Sequence, residues 1–237
     1  MKNNRLILAR HVGTDWFCCA IVALLGLSSF SSICPEFFDA ARGKKNAIPR
    51  GGFEARMFTY HPAAYRMCYF FFAYQMKNMY DTILWKDGPE FVAHHVMCML
   101  VGYGCIVHGV AHYHVPFYFG ISEISTAVLC LLANFDDEHG VPGLADAWPE
   151  GKAILGVLFA VTFLICRVIL WTFFSYYFVH DALLAINNTG SSRDAARPWN
   201  KIFLGSLTGL SVLQVIWLGQ IILIGKEEIE KAMGSTE

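Results

Sequence analysis

The chain is predicted to be all-α, a polytopic membrane bundle or barrel of six transmembrane helices. Of its 237 residues 55% are hydrophobic and 16% are charged, against about 25% charged in soluble domains. Six stretches, 15–33, 64–85, 91–109, 116–135, 152–178 and 202–225, approach or exceed the roughly 20 residues that cross a bilayer. Trp16, Trp85, Trp148 and Trp199 fall near the proposed ends, where aromatic belts form. A third observation concerns what these stretches contain. Several carry ionisable groups, each costing roughly 2.5–3.5 kcal/mol in a membrane helix even on the lenient insertion scale. Such groups are expected to have a function or a partner.

Residues 1–53 form an N-terminal segment holding the first span, 54–225 hold the other five, and 226–237 are a polar tail. The first span lies too far in, and is too poorly flanked, for a cleaved signal peptide. Span two carries Tyr74-Gln75-Met76-Lys77-Asn78-Met79-Tyr80-Asp81-Thr82. Gln75, Asn78 and Thr82 share a helix face by spacing, a face too polar for lipid. Span three opens Phe91-Val92-Ala93-His94-His95, with His94 in line with Cys98, Gly102 and Cys105, small residues that admit a helix or ligand. Neighbours on a helix lie about 100° apart, so one histidine is expected to face the interior while the other packs. Span four carries Glu123 within Gly120-Ile121-Ser122-Glu123-Ile124-Ser125-Thr126, span five carries Arg167, and span six carries Gln214 and Trp217.

The rise of 1.5 Å per residue converts these positions to depths. His94 and His95 sit about one turn inside one face, with Asp81 at that same face. Glu123 comes out about 10 Å inside the opposite face. Arg167 reaches a similar level from the other direction, so Glu123 and Arg167 are expected to pair. Gln75, Asn78, Glu123, Arg167 and Gln214 are the candidates to meet a substrate. Each also has a plainer role, the amides as interhelical hydrogen-bond donors and acceptors and the charges as a structural ion pair. His94 or His95 would be the catalytic group, oriented by Asp81. A neutral imidazole held by a carboxylate can take a proton from an amine or hydroxyl, or be acylated itself.

His108, His112 and His114 resemble a metal box, because histidines at i and i+4 share a face. They sit where span three must turn before Pro116, and with one such box and a bare histidine pair no metal is expected. Seven of the eight cysteines lie inside spans as small packing residues, and the absence of CxxC speaks against structural zinc. Lysines and arginines divide almost evenly between the two faces, seven against eight, and decide no orientation. The sequon Asn187-Asn188-Thr189, usable only in a lumenal loop, favours cytosolic termini. No basic aromatic patch suggests nucleic acid. The expected partners are membrane lipids, with a second copy of the chain as a candidate.

From about Glu54 to Ile224 the chain resembles the TLC-domain membrane proteins, which include the ceramide synthases. The resemblance is carried by Arg56-Met57-Phe58-Thr59-Tyr60-His61-Pro62, Tyr74-Gln75 through Tyr80-Asp81, and Ala93-His94-His95-Val96. It continues in Ser122-Glu123-Ile124-Ser125-Thr126, Phe163 to Arg167, Leu213-Gln214 and Trp217. It implies a six-helix bundle or barrel around an elongated cavity, in the endoplasmic reticulum, another endomembrane or the plasma membrane. In the synthases the histidine pair matched by His94 and His95 is held to act in acyl transfer from acyl-CoA, which would be the co-substrate here, to a sphingoid amine. The synthase acid motif, His-Asp-x-x-Asp, is not matched: Ser122, Glu123 and Thr126 stand at its defining positions. That departure points to the other TLC branch, whose roles concern membrane lipid composition and homeostasis. No resident cofactor is expected.

Overall fold

The computed structural model describes residues 4–45, 47–48, 52–187 and 196–234. Among these, all regular structure is helical. In chain order, α1 is Asn4–Ile33, α2 Pro35–Ala41, α3 Phe53–Phe58, α4 Pro62–Trp85 and α5 Pro89–His108. The remainder are α6 His112–Phe135, α7 Leu144–Ala147, α8 Pro149–Asn187 and α9 Arg197–Gly234. Beyond Asn187 the sequon lies outside the described residues, as do Arg50 and Arg193.

Five helices among the described residues are long and apolar enough to cross a membrane, α1, α5, α6, α8 and α9, where six were expected. The difference is α4. Its 24 residues suffice in length, but Arg66, Gln75, Lys77, Asn78 and Asp81 lower its apolarity. Outer faces of the others are hydrophobic, Val215 being 70% and Val157 67% exposed, as expected where lipid is the solvent.

Helix boundaries follow local chemistry. Proline stands at the first turn of α4, α5 and α8, where its missing N–H costs nothing. Helix α4 stops at Lys86 in the left-handed conformation (φ 60°), and α5 stops at Gly109 (φ 61°), the usual C-terminal exit. Ala111 (φ 60°) is strained for a residue with a Cβ; its N–H donates to the Met57 carbonyl at 2.7 Å.

The long helices pack in a ring: α1 on α4, α4 on α5, α5 on α9, α9 on α8, α8 on α6 and α6 on α1. Helices α1 and α6 cross at Gly26 and Gly120, so closely that a Cβ on Gly120 would stand 2.6 Å from the Gly26 Cα. Three helices contain a wide, π-helical stretch, Ala9–Trp16 in α1, Pro116–Ile121 in α6 and Leu164–Ile169 in α8. Such stretches frequently mark functional positions. Here they carry or adjoin Arg10, Asp15, Glu123 and Arg167.

Candidate functional site

Within the ring lies a cavity, partly open to the outside, lined from α4, α5, α6, α8 and α9. His94, Glu123 and Arg167 all reach it. By depth the histidines are expected at one face and the acid–base pair nearer the other; His94 instead shares one cavity with Glu123 and Arg167.

The expected ion pair is present. Arg167 Nη2 donates to Glu123 Oε1 at 2.7 Å and to Thr126 Oγ1 at 2.9 Å, and Nε donates to Ser125 Oγ at 3.3 Å. The two side chains are 7% and 6% exposed, and the small neighbours of Glu123 admit the long arginine. The far carboxylate oxygen accepts from the Cys19 thiol at 3.6 Å, and Cys19 lies 3.1 Å from the Tyr74 hydroxyl.

The two histidines divide as their 100° offset requires. His95 Nδ1 lies 2.7 Å from Gln75 Oε1. With the amide oxygen accepting, Nδ1 carries the proton and Nε2 keeps its lone pair. His94 lines the cavity, its Nε2 3.5 Å from the Cys98 sulfur and its ring centroid 5.4 Å from that of Trp217. His94 Nδ1 is buried with no hydrogen-bond partner among the described residues. Other buried polar atoms are in the same condition, Asn78 Oδ1 and both amide atoms of Gln214, in residues that do not themselves line the cavity. Gln214 is 4% exposed, one turn beyond the cavity-lining Leu210.

Asp81 sits elsewhere. Its carboxylate is 2.6 Å from Lys77 and 4.0 Å from Arg10, in a knot that ties the start of α1 to the end of α4. Lys77 also pairs with Asp15, and Arg10 grips Asp87 with both terminal nitrogens beneath the Trp85 ring, 4.7 Å away. Two cations already hold Asp81, and the group beside the histidines is an amide, Gln75.

At the other end of the cavity is a network for which no expectation had been formed. Arg56 of α3 donates to Asp181 of α8 through Nε at 2.6 Å and Nη2 at 2.7 Å, with side-chain exposures of 1% and 0%. Beside it, His114 Nε2 lies 3.7 Å from Asp181, Tyr113 donates to Glu36, and the Cys34 thiol donates to the Tyr113 carbonyl at 2.9 Å. Burial, reinforced by Glu36, pushes the Cys34 thiol pKa up. The available signal was the same as for Glu123, an acid within an apolar run, Phe178-Val179-His180-Asp181-Ala182-Leu183. Of the suspected metal box, His112 spends both nitrogens internally. Its Nδ1 accepts from the His61 N–H at 3.1 Å, and its Nε2 donates to the Cys105 carbonyl at 3.0 Å.

No curated protein and no solved structure matches the chain. A family model described as the TLC domain matches residues 12–223, taking in α1 as well as the stretch from 54 onward. This chain belongs to the TLC-domain family.

Proposed function

We propose that the protein is a six-span membrane protein, α4 being the sixth span, that acts on membrane lipid composition by holding a lipid chain in its central cavity. Helix α4 packs between α1 and α5 and buries Gln75 and Thr82; a helix so placed can cross lipid with its polar face hidden. The observation that carries the lipid reading is the wall between the cavity's ends. From His94 to Cys105 is eleven positions, about 16 Å along α5, and Phe71, Val101, Phe119, Leu207 and Leu210 line the space. An apolar slot with a few convergent polar groups at its end fits an acyl chain with a polar head. The test is lipid extraction and mass spectrometry of protein purified in mild detergent. A chain-bearing lipid should co-purify with the wild type and be depleted in Leu207→Trp, which fills the slot. Equal lipid in both proteins would sink the reading.

The unpartnered Nδ1 of His94 at this cavity favours a second reading, acyl-CoA-dependent N-acyl transfer to a lipid amine. His94 would act as base or nucleophile, with His95, held by Gln75, as its neighbour. Replacing both histidines with alanine and profiling cellular sphingolipids and phospholipids separates the readings. Unchanged lipids beside an intact fold would leave lipid binding without catalysis.

A further inference from the structure

Resting on the reading of the cavity as a lipid site, we propose a second polar subsite at its far end, where His114 accepts a hydrogen bond from a hydroxyl on the distal part of the ligand. His114 lines the cavity and is 3% exposed; its Nε2 has only the Asp181 carboxylate at 3.7 Å, and its Nδ1 has no hydrogen-bond partner among the described residues. A buried imidazole left so is costly, and a partner from outside the protein would remove that cost.

Its surroundings define what the partner must be. Nε2 faces Asp181 Oδ2 at 3.7 Å. The two charge-assisted bonds from Arg56 keep that carboxylate ionised, and an ionised carboxylate can only accept. The ring proton therefore belongs on Nε2, leaving Nδ1 as an acceptor. His180 Nδ1 lies 3.6 Å from the other oxygen of Asp181. The rings around His114 are those of Phe37, Tyr113 and Phe178, with centroids 6.2, 5.4 and 4.9 Å away, and the Tyr113 hydroxyl is committed to Glu36. Nδ1 thus needs a donor. A hydroxyl supplies one; an ester, ketone or methyl terminus does not.

The His112–Cys105 hydrogen bond sets this segment beside Cys105, about 16 Å along α5 from His94. The ligand class is a long-chain lipid with a polar head at the His94 end, an apolar middle, and a hydroxyl about that far along the chain.

The test compares two probes, tetradecanol and α,ω-tetradecanediol, on full-length protein in nanodiscs, with affinities read by native mass spectrometry. The diol should bind about tenfold more tightly, the net effect of one hydrogen bond. His114→Phe should erase that preference, the two probes then binding equally to the variant. Equal affinities in the wild type would overturn the subsite, because water would then serve the imidazole, and that comparison needs no variant to fold. Binding of neither probe would overturn the lipid reading of the cavity itself, and the subsite with it.

Discussion

Breaking the Glu123–Arg167 pair should reveal an asymmetry that the geometry dictates. In Glu123→Gln the guanidinium loses its counter-charge but keeps the Thr126 and Ser125 oxygens at 2.9 and 3.3 Å. In Arg167→Met the carboxylate is left with the Cys19 thiol at 3.6 Å, a weak donor. Leaving one member of a buried pair unmatched costs roughly 3–5 kcal/mol. The two oxygens, each worth about 1 kcal/mol, place Glu123→Gln at the lower end of that range and Arg167→Met at the upper end. The double variant removes both charges, and should cost less than the sum of the single changes by more than about 1 kcal/mol. Thermal unfolding of the four proteins in one detergent gives the order. Strict additivity, or Glu123→Gln less stable than Arg167→Met, would refute the reasoning.

Other expectations follow from single contacts. Gly120→Ala should cost about 1–3 kcal/mol, because its Cβ meets the α1 backbone; Gly156→Ala, mid-helix with nothing within 4 Å, should be neutral or stabilising by up to about 1 kcal/mol in the same thermal assay. Arg56→Lys should lose one charge-assisted bond to Asp181, about 1.5–3 kcal/mol, and Arg56→Met should lose more; wild-type melting of Arg56→Met would remove the buried network from the stability argument. Gln75→Leu should change the tautomer signature of His95 in isotope-labelled histidine NMR, and Asp81→Asn should leave it unchanged. The opposite pattern would restore Asp81 as the orienting group.

The apolar helices and their order were legible because lipid acts on each helix separately. A span must be long and apolar whatever it packs against, so α5, α6 and the core of α8 and α9 stand near the expected places. The ends were less legible. Helix α8 was expected to stop at 178 and runs to Asn187. Its last turns are held by Asp181 on Arg56, a partner 125 residues away that no local signal reveals. Helix α1 begins eleven residues before the expected 15 for the same reason: Arg10 and Asp15 are matched by Asp87 and Lys77, so their charges do not end the helix.

The depth of Glu123 shows how a correct rule gave a misplaced residue. Counting from Pro116 puts the acid seven positions, about 10 Å, inside its face. Helix α6, however, starts at His112, and residues 112–117 are all buried, so this end of the helix does not mark the membrane surface. Counting from His112 gives eleven positions, about 16 Å. His94 lies fourteen positions from the end of α5 at His108, about 21 Å from the same turn. The two groups then differ by about 5 Å in level, one helical turn, in keeping with both lining the same cavity. The four residues that moved the acid toward the histidine are the ones that hold His112 and His114. The turn that looked like a metal box is therefore what sets the level of Glu123, with His112 fastening it to Cys105 and the Ala111 N–H fastening it to Met57.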